Sequence, residues 1–427
     1  MDVLKSDDCP LIVYVDVKSP YAFIAFRPTL ALEAELGLRF DWRPLTLDIP
    51  SYLGSAEKKD GQVVRSEGRS PRTWNAIKYS YRDARRYAER QGLTLKGTEK
   101  IWDSQLANIG ILWVSRFARD RLAAYLEAVY PAFWRRELDI EDLSVVEACL
   151  QRAGAPVSGF REFLAGEGRE QHDSLQVQFH ERGIYGVPTY VLGDEVIFGR
   201  EHIPYLRWAL SGQQGPAPDM AYELEPPRGA PQGETSEALT LYIDFKSPAA
   251  YLALQPTLDL IRRTRVPVRW RPFVTYEREL PASASDPGRS QRHRDVRAAS
   301  RQAILTKYAA EQGIELRFRE PGVEAALALS VLTLAAEDPL PFIEAAFRAY
   351  WHDGLDLDDE ATVQALLRRS GLSAPPWTAE EGRAALAWAQ GEAEASGIVD
   401  APAYVVGEHV FVGHAHLPWI EELLGRS

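Results

Sequence analysis

One stretch of this chain occurs twice, and the repeat limits the fold before composition is considered. Leu11-Ile12-Val13-Tyr14-Val15-Asp16-Val17-Lys18-Ser19-Pro20-Tyr21 returns as Leu239-Thr240-Leu241-Tyr242-Ile243-Asp244-Phe245-Lys246-Ser247-Pro248-Ala249. The β-branched and aromatic run that opens each copy reads as a buried strand. The Ser-Pro that follows supplies a helix N-cap and then a proline at the first helical position, where no N–H is needed. The register continues through Pro28-Thr29-Leu30 and Pro256-Thr257-Leu258, then through Trp42-Arg43-Pro44 and Trp270-Arg271-Pro272. One fold unit has been duplicated, each copy beginning with a strand that feeds a helix.

At 427 residues the chain is too long for one ordinary core, and two domains of roughly 150–200 residues are expected. We read a first domain over 1–212, a Gly/Pro-rich linker over 213–236 and a second domain over 237–427. The glycines and prolines between Ser211 and Glu237 disfavour regular structure there. The expected arrangement is a face-to-face pseudo-dimer within one monomeric chain, with independent domains as the alternative. A net charge of −12 argues against general nucleic-acid affinity, because phosphate binding needs a concentrated basic surface. Met1 to Asp8 lacks the basic and apolar regions of a secretory signal, and no apolar run approaches the ~20 residues of a membrane span. A cytoplasmic protein with small-molecule partners is therefore expected. The two cysteines, Cys9 and Cys149, are far apart and form no CxxC, so no metal site or disulfide framework is indicated.

Within the first copy, Phe23, Phe26, Leu30 and Ala34 fall at helical spacing, with Pro28 expected to kink the helix or end its first turns. Arg39 to Arg43 reads as a second strand. Leu47 to Thr73 is polar and reads as a long surface loop, either a lid or binding segment or a merely flexible connection. Trp74 to Gly168 is helical by pattern. Gly193-Asp194 then separates two apolar runs as a hairpin turn, and a last helix near Ile203 to Leu210 closes the unit. The second copy repeats the hairpin around Gly407-Glu408.

Asp16-Val17-Lys18-Ser19-Pro20-Tyr21 paired with a distant Gly186-Val187-Pro188-Thr189 resembles the 2-hydroxychromene-2-carboxylate isomerases and kappa-class glutathione transferases, relatives of the DsbA-like disulfide oxidoreductases. The resemblance covers nearly the whole chain, twice. It implies an α/β chain of two thioredoxin-like, DsbA-like domains in tandem, each with an inserted helical subdomain. It places Ser19 and Ser247 where the redox relatives carry their nucleophilic cysteine, and Ala22 and Ala250 on the resolving one. It also implies cis peptides before Pro188 and Pro402, and glutathione paired through its cysteinyl part with the backbone of Val187 or Ala401. Arg200-Glu201-His202 falls where the family often shows a Gly-x-Asp-Arg run at the γ-glutamyl end. Glu replaces Asp and His replaces Arg in this sequence, with Arg200 as the substitute cation.

The chemistry also follows from the residues. Without a cysteine at either helix start, dithiol exchange lacks both its attacking and its resolving thiol. A helix N-terminus still favours negative charge, and a hydroxyl there can donate to a thiolate. With glutathione as cosubstrate, Ser19 would steady its thiolate for addition to an unsaturated acid, rotation and elimination, with no metal. The plainer reading makes Ser19 a structural cap. Lys18 and Tyr21 flank this position, Lys18 serving either a ligand carboxylate or solvent, and Asn108 is a further candidate contact. The second copy departs more: Ala249 replaces Tyr21, Asp400 replaces Gly186, and Val412-Gly413-His414-Ala415-His416 has no acid. The first domain is read as the active one. A non-catalytic thioredoxin-like module binding a peptide along the Pro188 loop is the alternative, and a redox protein using Cys9 or Cys149 alone is a third reading.

Overall fold

The computed structural model describes residues 2–6, 8–59, 62–220, 238–276, 287–319, 324–334, 338–373 and 378–425. It divides into two compact units, Met1–Pro218 with Arg278–Gln302, and Asp219–Glu277 with Ala303–Ser427. Most of the inter-repeat linker, 221–237, lies outside the described residues. Among the described residues no helix is long and apolar enough to cross a membrane.

The first unit is built on β1 (Ile12–Val15), which feeds α1 (Pro20–Leu36) and then β2 (Asp41–Pro44). All four residues of β1 are buried, because the strand is central and covered on both faces. Its parallel partner is β2. The Ser19 hydroxyl accepts from Ala22 N and Pro20 occupies the first helical turn, as the Ser-Pro signal requires. α1 continues past Pro28 to Leu36, so the proline does not end the helix. A proline at that position leaves the carbonyl four residues earlier without its helical donor. The side-chain amide of Gln91 supplies one, donating to Ile24 O at 2.8 Å.

The stretch read as a long loop instead contains a short helix α2 (Ile49–Leu53) and a hairpin of β3 (Ser55–Lys59) and β4 (Gln62–Glu67). Its apolar residues Val63 and Val64 are adjacent and so fall on opposite faces, and β4 is exposed along its whole length, so the alternation that betrays a half-buried strand is missing. The helical insert follows as α3 (Pro71–Arg90), α4 (Gln105–Phe117), α5 (Leu122–Trp134), α6 (Leu143–Arg152), α7 (Phe160–Ala165) and α8 (Glu167–Gln178). Phe23 and Phe26 of α1 stack on Tyr130 of α5, and Phe23 also stacks on Trp134. Each such buried aromatic contributes roughly 1.5–3 kcal/mol of apolar burial. The chain returns through β5 (Thr189–Leu192) and β6 (Glu195–Phe198) and ends in α9 (Ile203–Leu210). The sheet order is β2-β1-β5-β6. Gly193 adopts φ 59° in the turn between β5 and β6, a conformation that favours glycine.

The second unit repeats the strand-helix-strand start, the helical insert and the closing hairpin and helix. It has β7 (Leu239–Ile243), α10 (Pro248–Thr264) and β8 (Val268–Pro272), and then α11 (Pro287–Glu311), of which residues up to 302 belong to the first unit. There follow α12 (Ala326–Leu334), α13 (Leu340–Arg348), a π-helical turn (Ala349–Asp353), α14 (Glu360–Ser370) and α15 (Ala379–Ala395). The hairpin of β9 (Ala403–Val406) and β10 (His409–Val412) leads to α16 (Leu417–Leu423), and the sheet order is β10-β9-β7-β8. A hydroxyl pair fastens the first helix to the hairpin in each unit. Thr29 Oγ1 meets Tyr190 OH at 2.9 Å, and Thr257 Oγ1 meets Tyr404 OH at 2.8 Å.

Candidate functional site

In the first unit the end of β1, the start of α1 and the loop before β5 converge on Ser19. The side chain is 3% exposed. Its hydroxyl accepts from Ala22 N at 3.2 Å and donates to Val187 O at 3.4 Å. The Val187–Pro188 peptide is cis, and Pro188 O accepts from Gly199 N at 3.0 Å. The bond to Val187 is at the long limit for a hydroxyl donor, so the Ser19 proton is only loosely committed.

Beneath the helix start lies a buried polar cluster around Asp16, which is 0% exposed. One carboxylate oxygen accepts from Ser104 Oγ, Asn108 Nδ2 and Lys18 N, and the other accepts from Leu47 N at 2.8 Å. Asn108 also donates to Thr46 Oγ1 at 2.7 Å and accepts from Val17 N at 3.3 Å. These bonds occupy the Asn108 amide inside the protein. It braces the strand end against α4.

Beside the helix start, Tyr21 OH donates to Asp83 Oδ2 at 3.4 Å, and Arg86 reaches the other Asp83 oxygen at 3.4 Å. Burial, with the Asp83 carboxylate next, pushes the Tyr21 phenol well above its ordinary value. Arg200 is 5% exposed, with its guanidinium carbon 3.2 Å from the Tyr87 ring centroid. His202 is 2% exposed and lies 3.9 Å from the Glu201 carboxylate. Arg200 and His202 are thus held inside the unit, and of that run Glu201 is the most accessible. Lys18 is half buried, its Nζ donating to Trp102 O at 3.1 Å.

The second unit has the same frame with different side chains. Ser247 accepts from Ala250 N at 3.2 Å and donates to Ala401 O at 3.0 Å, and the Ala401–Pro402 peptide is cis. Burial raises the Asp244 carboxyl above its usual value despite bonds from Thr275 and Lys246 N. Lys246 Nζ pairs with Glu324 at 2.5 Å. An acid from the inter-repeat segment reaches the run that follows this hairpin. Asp219 accepts from His414 Nε2 at 3.1 Å and from Gln312 Nε2 at 3.1 Å. Burial pushes its carboxyl up, but His414, the Met220 N–H and Gln312 together hold it below the usual range.

Sequence reading missed Asp83, Arg86, Tyr87 and Asp219. Asp83 had a signal, since Tyr79, Asp83, Tyr87 and Ala88 share the buried stripe of α3, and a carboxylate in an apolar register asks for a partner. Asp219 had none, because Gly/Pro punctuation carries no register.

A family model described as DSBA-like thioredoxin domain matches residues 10–211 and again 238–425. A 2-hydroxychromene-2-carboxylate isomerase of Pseudomonas putida is 27% identical over 201 residues, covering 46% of this chain and 92% of that protein. The protein of the same name from Sphingobium xenophagum is 26% identical over 199 residues, covering 45% and 93%. Among solved structures, a 2-hydroxychromene-2-carboxylate isomerase aligns with a TM-score of 0.37 at 23% identity, over 47% of this chain and 94% of that one. A probable DsbA oxidoreductase from Streptomyces coelicolor aligns with a TM-score of 0.37 at 18% identity, over 51% and 97%.

Proposed function

The chain belongs to the DSBA-like thioredoxin domain family, matched over both of its halves, and from that premise we propose that its first unit is a glutathione-dependent isomerase or transferase for a small unsaturated or aromatic acid. The relatives named 2-hydroxychromene-2-carboxylate isomerase support that substrate class. The observation that carries the proposal is Ser19, a hydroxyl on a helix N-terminus beside the cis-proline loop, where the redox members of the fold need a thiol.

Glutathione, when bound, supplies a thiol whose reversible addition to an activated double bond leaves a single bond free to rotate before elimination. The donor set fits the sulfur end of such a ligand. Ser19 releases its long bond to Val187 O and donates its proton toward the thiolate. The N–H groups of the first turn of α1 and the helix dipole add favourable charge, worth up to ~2 kcal/mol in partly buried geometry. The Val187 backbone pairs with the cysteinyl amide. Lys18 is the cation we assign to a ligand carboxylate, and Tyr21, braced by Asp83, walls the site.

The fit is poorer in the second unit. Ser247 holds its carbonyl partner at 3.0 Å, Ala249 stands where Tyr21 does, and Asp400 precedes the cis-proline loop. We therefore assign the activity to the first unit. Conversion of 2-hydroxychromene-2-carboxylate, followed by its ultraviolet spectrum, is expected to require reduced glutathione and to fall with Ser19→Ala. Equal rates with and without glutathione, or no conversion with it, would count against the proposal.

A further inference from the structure

Four consecutive carbonyls in the loop that carries Pro188 each have their own donor. Thr189 Oγ1 donates to Gly186 O at 2.7 Å, Ser19 Oγ to Val187 O at 3.4 Å, and Gly199 N to Pro188 O at 3.0 Å. Those donors come from the first repeat. The donor to Tyr185 O does not: it is His293 Nε2, at 3.0 Å and 108 positions along the chain, on the part of α11 that belongs to the first unit. A carbonyl oxygen only accepts, so Nε2 carries the hydrogen whether the imidazole is neutral or charged.

The geometry around His293 is that of a fixed pin. Its side chain is nearly buried, and its ring lies flat on Tyr52, with centroids 4.1 Å apart and planes at 6°. The rings of His180 and Tyr185 meet it edge-on at 5.7 and 5.9 Å. One turn earlier on the same helix face, Ser290 Oγ donates to Ser51 O and Arg289 pairs with Asp48 at 3.3 Å. The helix segment is therefore anchored at two residues, Arg289 and Ser290, one turn before His293 reaches the loop. In the register that pairs Tyr87 with Tyr308, His293 falls on Arg72, so the first copy has no histidine to offer in exchange.

We propose that His293 is a positioning residue for the first unit's site. By holding the Tyr185 carbonyl it fixes the approach of Val187 to Ser19, and so the second repeat acts on the first repeat's site through α11. This deepens the functional reading above and rests on it for its consequence on glutathione, but the pin itself is testable without any ligand.

The test uses the full chain with His293→Ala and His293→Gln, since a glutamine Nε2 also donates. Hydrogen exchange of the peptide 183–190, without ligand, is expected to rise about fivefold to tenfold in His293→Ala, the effect of one lost buried bond. It should return toward the wild-type rate in His293→Gln, while α4 exchanges as before. The thiol pKa of bound glutathione, read from thiolate absorbance, should rise in His293→Ala and recover in His293→Gln. Unchanged exchange at 183–190, an equal increase throughout the unit, or altered exchange with an unaltered thiol pKa would each overturn the proposal. Failure of the wild-type protein to bind glutathione would instead overturn the functional reading, and the exchange arm would still decide whether the pin exists.

Discussion

Replacing Asp16 should separate the cost of an unpaired buried donor from the benefit of removing a buried charge. Its carboxylate is the acceptor for two backbone N–H groups, Leu47 N at 2.8 Å and Lys18 N at 3.3 Å, and for Ser104 and Asn108 of the helical insert. Asp16→Ala leaves both backbone donors in the interior without an acceptor, at about 1–3 kcal/mol each. Ser104 and Asn108 lose less, because Asn108 retains Ser104 Oγ and Thr46 Oγ1 as acceptors. The expected loss is about 4 kcal/mol. Asp16→Asn keeps one oxygen and turns an amide N–H toward the other set of donors, so it should cost about 1–3 kcal/mol. The two units preclude a simple two-state treatment of the whole chain. Native-state hydrogen exchange of residues 12–15 and 105–117 in increasing urea reads the first unit, with residues 239–243 as the internal control. If Asp16→Ala proved neutral or stabilising, desolvation of the carboxylate would outweigh its bonds, as happens for some buried charges, and the bracing role would be refuted.

Ser19→Ala should cost about 1 kcal/mol as a lost cap, whereas Ser247→Ala should cost about 2 kcal/mol because it also removes a 3.0 Å bond to Ala401 O; exchange in α1 and α10 compares them. Asp244 retains its proton to a higher pH when folded, so the second unit should lose stability as pH rises from about 3.8 through that raised value. Asp244→Asn should flatten this slope in unfolding experiments between pH 4 and 8, and an unaltered slope would assign it to other groups. With no cysteine at either helix start, and with burial raising both the Cys9 and Cys149 thiols, the protein should not reduce insulin disulfides above background. Turnover that vanishes in Cys9→Ser would contradict this.

The parts of the fold that were legible in the sequence are those where local chemistry and tertiary structure ask for the same thing. The strand before Asp16, the Ser19 cap, the Gly193-Asp194 turn and the helix Ile203–Leu210 each carry a signal within a few residues, and the duplication stated each signal twice. That the helix continues past Pro28 was not legible, because the Gln91 amide that serves Ile24 O is remote in sequence. The hairpin Ser55–Glu67 was read as a loop because neither of its faces is apolar. Ser19 and Pro188 were legible as a pair through the repeat. The side chains that brace them were not, since Asp83, Thr46 and His293 arrive from α3, the loop after β2 and α11, and periodicity says nothing about which buried polar groups will meet. Arg200 was legible as a cation after the hairpin, but not its burial against the Tyr87 ring, which α3 brings from far away in sequence.

The most direct measurement is the ultraviolet titration of reduced glutathione bound to the wild-type chain, Ser19→Ala and Ser247→Ala, following thiolate absorbance against pH. Wild-type protein should hold the thiol pKa below its ordinary value near ~8.5, Ser19→Ala should raise it, and Ser247→Ala should leave it nearly unchanged. Equal shifts from both substitutions would contradict a single working site, and no shift from either would leave Ser19 as a helix cap alone.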